Sequence, residues 1–259
     1  MSWLRYISIY SAWYYHRDYE IKLYYTSDVD NQSLPERNDL CGENYFDRLK
    51  ELGIIIEEYE ILQNPERTKR GWKYVAPAQT CDILQWHKLY EEGGIFCDSD
   101  IIFLRPINEE LLTHDILTCF KRYYTVGFWG AKPDTEMMLD FYSNAFFTFD
   151  EDNYQTAGVT NIQSVTKQKL SSLSGHKLKD LVMSYPDLSI FNLSFDSFYR
   201  WDYNNLDKVY ESFEAIKDNQ IGIHWYGGHV DSKKWIKLLT QDNYKSFNST
   251  LCNAIRRIT

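Results

Sequence analysis

Ala78-Gln79-Thr80-Cys81-Asp82-Ile83-Leu84-Gln85-Trp86-His87-Lys88-Leu89-Tyr90-Glu91-Glu92-Gly93-Gly94-Ile95-Phe96-Cys97-Asp98-Ser99-Asp100-Ile101-Ile102-Phe103-Leu104-Arg105-Pro106 is the stretch on which the chain's organisation turns. Pro77 suits a first helical turn, and Ile83, Trp86 and Tyr90 recur at helical spacing. Gly93-Gly94 supplies the stop. A short apolar strand then starts at Ile95 and ends in two aspartates around Ser99, before a second apolar run. Residues two apart in an extended chain point to one side, so the spacing predicts that Asp98 and Asp100 share a face at the strand's carboxyl end. Two close carboxylates repel unless something neutralises them, and a divalent cation with a taste for hard oxygen ligands does so. Mn²⁺ or Mg²⁺ is the expected cofactor, with coordination positions left open for phosphate oxygens. Taken alone, an Asp-X-Asp triplet is also a common solvated turn, so the reading rests on the surrounding block.

That block resembles the sugar-binding region with a DXD motif found in glycosyltransferase family 32 and its relatives, which include capsular polysaccharide transferases, initiating mannosyltransferases and α-1,4-galactosyltransferases. The matching positions are Ala78, Asp82, Leu89, Tyr90, Gly93, Gly94, Ile95, Asp98 and Asp100, with Phe96 in place of the usual Tyr. Gln85 stands where relatives usually carry Arg, which removes a fixed positive charge and a bidentate donor. The resemblance implies a GT-A type, Rossmann-like α/β domain with a mostly parallel central sheet flanked by helices. It also implies transfer of a hexose, with retained configuration, from a UDP- or GDP-sugar to a hydroxyl of a glycan or lipid-linked acceptor, as in polysaccharide biosynthesis. By position in the motif, Asp82, Asp98 and Asp100 are the expected catalytic residues. Asp82, Gln85, Gly93, Gly94, Asp98 and Ser99 are the expected donor-binding ones. An acidic side chain suits two neighbouring sugar hydroxyls because it accepts from both.

Near the other end lies Ile221-Gly222-Ile223-His224-Trp225-Tyr226-Gly227-Gly228-His229-Val230-Asp231-Ser232-Lys233-Lys234-Trp235, a buried strand delivering His into a glycine-rich turn. It resembles the C-terminal His-Trp element of family 32 and, with looser spacing, the His-x-x-Gly and Lys-Trp element of family 8. The resemblance makes His224 a third metal ligand beside Asp98 and Asp100, and Gly227 and Lys234 diphosphate contacts. The chemistry agrees: imidazole ligates Mn²⁺, glycine lets backbone amides approach phosphate, and lysine adds a point charge.

The remaining sequence sets bounds. A chain of 259 residues suits one α/β domain, with a nucleotide-sugar half at about 1–107 and an acceptor and C-terminal metal half at about 108–259. A formal charge of −9 argues against a broad nucleic-acid surface, which needs clustered Lys and Arg. The five cysteines form no CxxC pair and leave one over, so a reducing compartment is expected and a structural zinc site is not. No apolar run is long enough to span a bilayer, which leads to a cytoplasmic expectation, with a peripheral place at the membrane surface as an option.

Periodicity predicts a helix over residues 1–16, a strand over 19–25, a loop over 31–44, a helix over 45–52 closed by Gly53, and a buried strand over 54–61. The basic cluster at residues 67–73 reads as a solvated connection. Beyond Pro106, a strand and turn are expected over 126–133, a helix over 137–149, and an acidic loop over 150–158 leading to the acceptor side. Residues 191–201 are aromatic enough to cover the cleft. Two other classes compete with the transferase reading. A haloacid-dehalogenase phosphatase also sets Asp-X-Asp after an apolar strand, but it wants Thr or Val where this chain has Ile102. A non-catalytic sugar or nucleotide binder would tolerate Gln85.

Overall fold

In the computed structural model the described residues are 1–25, 45–59, 77–121, 124–170 and 177–259. The loop expected over 31–44, the basic cluster at 67–73, Cys41 and the end of the strand expected over 54–61 lie outside them. The architecture is α/β. Its elements run α1 (Trp3–Tyr15), β1 (Lys22–Tyr25), α2 (Tyr45–Glu51), β2 (Ile55–Glu58), α3 (Pro77–Glu91), β3 (Gly94–Cys97), β4 (Ile101–Phe103) and β5 (Ile116–Thr118). They continue with β6 (Phe128–Ala131), α4 (Glu136–Thr148), α5 (Val159–Leu170), α6 (Leu178–Ser184), β7 (Ile190–Asn192), α7 (Asp196–Tyr199), α8 (Leu206–Tyr210), β8 (Gly222–His224), α9 (Val230–Leu238) and α10 (Thr250–Ile255).

β1 and β2 pair in parallel across α2, the crossover that parallel strands need. The expected parallel character does not extend through the rest. β3 and β5 each run antiparallel to β6, and β4 runs antiparallel to β8, while β5 pairs in parallel with β7. The physical reason is the connections. Among the described residues no helix intervenes between β5 and β6, so the chain turns back, whereas three helices lie between β5 and β7 and provide a crossover. β2 is also less buried than expected: Ile55 is exposed, and the apolar anchors are Ile54 and Tyr59 at its flanks.

β4 is the strand that positions the site. Ile101 and Phe103 point into one apolar cluster with Leu117, Phe128 and Phe198. Ile102 and Leu104 point the other way, into a cluster with Leu4, Ile7, Ile223 and Trp225. This is the alternation of a strand covered on both faces. α1 starts at Ser2, whose hydroxyl accepts the Arg5 N–H at 3.3 Å, a helix cap. It lies against β4, and the Ser11 hydroxyl accepts the Phe103 N–H at 2.8 Å. α3 packs on α4 through a third cluster in which Trp86, Trp129 and Phe141 meet edge to face at centroid distances of 5.1 to 5.8 Å. No helix among the described residues is long and apolar enough to cross a membrane.

Candidate active site

α3 ends at Glu91, and Gly93 and Gly94 then take φ values of +67° and +89°, a left-handed region that only glycine enters without strain. A Cβ on Gly93 would stand 2.6 Å from the Pro133 ring. Both glycines therefore serve the helix-to-strand corner. Gly94 opens β3 and Gly93 precedes it, so the full length of that strand, about 13 Å or more at the usual rise, separates them from Asp98. The structure does not bring them to the aspartates.

Asp98-Ser99-Asp100 is not the extended segment that the spacing predicts. It is a turn between β3 and β4, closed by the Ile101 N–H donating to the Asp98 carbonyl at 3.1 Å. The carboxylates still converge, because β8 supplies a partner. Ile101 lies opposite His224 in the β4–β8 register, and the Trp225 N–H donates to the Asp100 carbonyl at 3.0 Å. His224 Nε2 is thereby set 3.0 Å from Asp100 Oδ1 and 3.8 Å from Asp98 Oδ2. One ligand atom from each of the three residues falls within 4.8 Å of the others.

The turn after β8 completes the anchoring of Asp100. Tyr226 adopts φ +52°, unusual for a residue with a Cβ, and this aims the Gly227 N–H at Asp100 Oδ2, 2.6 Å away. A Cβ at Gly227 would press on the Trp225 ring at 2.8 Å and on an Arg5 nitrogen at 3.0 Å. Tyr226 and Tyr199 lie against the His224 ring at 4.1 and 5.3 Å. His229, unassigned by sequence, caps α9 by accepting the Asp231 N–H.

The electrostatics follow from burial. Burial and the Asp100 charge push Asp98 up to about 6, against the pull of His224 and Arg5. Burial also pushes Asp100 upward, but His224, Arg5 and the Gly227 N–H outweigh it and hold Asp100 below the usual carboxylate range. Burial lowers His224, yet the two aspartates carry it above its ordinary value. Asp82, on α3, is raised well above the usual range by burial and then by Asp98. Its carboxylate sits against Gly158, where a Cβ would stand 2.9 Å from Asp82 Cγ and closer still to Oδ2. Gly127 does the same for Asp98: its Cβ would lie 2.7 Å from Asp98 Oδ2 and 2.9 Å from the Tyr199 hydroxyl. Asp82 and Asp98 thus each lie against a glycine whose missing side chain leaves room for the carboxylate.

The donor set of two carboxylate oxygens and one imidazole nitrogen fits Mn²⁺ or Mg²⁺. Two close carboxylates, one of them buried and fixed by the Gly227 N–H, form an arrangement that a cation relieves. His224 Nδ1 is buried without a hydrogen-bond partner among the described residues, so its Nε2 is the nitrogen that the fold directs to the aspartates. The Ser99 hydroxyl accepts an Arg5 N–H at 2.6 Å. Gln85 is one helical turn beyond Asp82, almost wholly buried, with no hydrogen-bond partner for its amide nitrogen among the described residues. Lys234 does not meet the cluster through any contact among the described residues; it faces Glu211 at 3.3 Å on the surface and lies over the Trp235 ring. Asn161 is turned into the core, where its amide donates to the Phe141 carbonyl.

Arg5 and Gly127 are the neighbours that sequence reasoning passed over, and Tyr199 and Gly158 entered it only as members of the stretches expected to cover the cleft and to lead to the acceptor side. Their signal was weak because they are scattered singly through apolar or loop segments, joined to the motif only by the fold.

Residues 8–117 match the family described as the glycosyltransferase sugar-binding region containing a DXD motif. The matched region includes Asp82, Asp98, Ser99 and Asp100 and stops before Tyr199, His224 and Gly227. The resemblance read from the sequence block is borne out to that extent. No curated protein matches the chain. Among solved structures, the PaToxG glycosyltransferase is similar, with 15% identity, coverage of 100% of this chain and 82% of that chain, and a TM-score of 0.46.

Proposed function

We propose that the chain is a metal-dependent glycosyltransferase of GT-A type, one domain that moves a hexose from a nucleoside-diphosphate sugar to a hydroxyl of a glycan or lipid-linked acceptor. The observation that carries the proposal is the convergence of Asp98, Asp100 and His224 on one point, with Asp98 and Asp100 inside the region that matches a sugar-binding family.

On this reading Asp100 is the principal ligand, fixed by the Gly227 N–H, and Asp98 and His224 complete the protein's share of the coordination. When bound, Mn²⁺ or Mg²⁺ supplies Lewis-acid neutralisation of charge on the departing diphosphate. The chain's residues orient the rest. Asp82, next to Asp98 and shaped by Gly158, accepts hydrogen bonds from donor-sugar hydroxyls, and its neighbour Asp98 stays ionised beside the cation. Tyr199 and Tyr226 hold the imidazole plane and exclude water from its faces. Retention of configuration comes from the family resemblance alone.

The test is a screen of UDP- and GDP-sugars, following release of the nucleoside diphosphate with Mn²⁺ and after chelation. Release with one donor that chelation abolishes and Mn²⁺ restores supports the proposal. Binding of a nucleoside diphosphate with no turnover of any donor points instead to a non-catalytic binder, the reading that Gln85 favours. Release of phosphate from simple monoesters overturns both.

The fit of Asp82 against Gly158 gives a more local expectation. Gly158→Ala forces the Asp82 carboxylate off its position, because the new Cβ and Oδ2 cannot both occupy that space. Turnover falls roughly 10-fold, on the scale of a misplaced positioning group, with little change in the melting temperature. Unchanged initial rates for a folded Gly158→Ala protein would remove Asp82 from the donor site.

A further inference from the structure

We infer that Arg5 binds the diphosphate of the donor beside the metal. The inference rests on the glycosyl-transfer reading above and adds to it a residue outside the matched region.

Two observations place the charge. An Arg5 guanidinium nitrogen donates to Ser99 Oγ at 2.6 Å, at the apex of the turn between the two aspartates. The guanidinium also stacks over Trp225 at 5.6 Å and fills the space that the absent Gly227 side chain leaves open. The fold therefore carries a guanidinium from α1 to the edge of the metal cluster, and Arg5 is only half-buried there. A planar fork of fixed charge is suited to phosphate oxygens, and it cannot lose its proton. Gln85, one turn beyond Asp82, is neutral and buried, so it supplies no such charge.

A cation next to a metal site has opposite effects on two ligands. It repels Mn²⁺ and attracts the diphosphate. A residue that merely props up the Asp98-Ser99-Asp100 turn would aid both. The experiment is titration of the full chain with Mn²⁺ alone, and with UDP and GDP in saturating Mn²⁺, for wild type, Arg5→Gln and Arg5→Lys. Arg5→Gln removes the charge and leaves an amide donor on a shorter stem. It is expected to weaken nucleoside diphosphate binding ~10-fold or more, the scale of a charge-assisted hydrogen bond, while Mn²⁺ binding holds or tightens. Arg5→Lys recovers part of the loss. Diphosphate affinity unchanged in Arg5→Gln, or Mn²⁺ and diphosphate affinity falling together, overturns the inference and leaves glycosyl transfer standing. Failure of the wild type to bind either diphosphate overturns the reading on which the inference rests, and the inference with it.

Discussion

Asp100→Ala lowers the release of nucleoside diphosphate by at least ~10²-fold with whichever donor the screen identifies, the scale of losing one preorganised electrostatic group. Asp100 is the best anchored of the three carboxylates. It takes the Gly227 N–H on one oxygen and faces His224 Nε2 on the other, and its backbone carbonyl is tied to Trp225. Its low proton affinity keeps it ionised throughout the neutral range. The alanine variant also strands the Gly227 N–H and leaves a buried imidazole without its main acceptor, at about 1–3 kcal/mol of stability. Asp100→Asn separates the two effects. It retains an acceptor oxygen for Gly227 and most of the packing, but it is a far weaker metal ligand. Initial rates together with melting curves decide the matter: both variants lose turnover, and Asn keeps more of the melting temperature. A folded Asp100→Ala protein with ordinary turnover would end the metal-dependent reading.

Trp225→Ala produces the largest loss of stability, about 3–5 kcal/mol, which corresponds to a fall of roughly 10 °C in melting temperature for a chain of this size. The indole is fully buried, and its Nε1–H donates to the Ser8 hydroxyl of α1 at 2.9 Å. Its carbonyl accepts from the Tyr210 hydroxyl and the Ser232 hydroxyl, both at 2.8 Å. One residue thus fastens α1, α8 and α9 to the end of β8. Alanine keeps the backbone bonds and loses the ring, leaving a cavity directly beneath Arg5 and Gly227. Urea unfolding of the variant measures this, and a loss under about 1 kcal/mol would mean that the cavity collapses without consequence.

Much of the local structure is legible from residues alone. The helix ending at Glu91, the double glycine and the strand after it follow from period and backbone freedom, and α1, α2 and α4 fall where periodicity sets them. These are short-range effects, decided within a dozen residues. What the sequence does not disclose is partnership. β6 pairs with β3 and β5 in antiparallel fashion because of connection lengths, which a strand's own residues do not encode. The turn at Ser99 departs from the extended reading for a similar reason: the Ile101 N–H and Arg5 shape it from outside the motif. Within the site, the motif singled out Asp82, Asp98, Asp100 and His224. It also suggested Lys234, whose helix carries it out to Glu211, and Gly93 and Gly94, which belong to a corner. Arg5 carries no local signal, since a single arginine in an apolar helix reads as a solvated side chain.

The pairing of β4 with β8 also has a bearing on how the molecule comes to exist. Ile101 meets His224 across a separation that spans nearly half the chain, and the ring of contacts around Asp100 closes only when those strands meet. Such a closure is entropically slow, because a long loop must be drawn in before any contact rewards it. During synthesis α1, α3 and β3 emerge before β8 does. The cluster is then among the last features to assemble, and a divalent ion that prefers the assembled form draws the folding equilibrium toward completion by mass action.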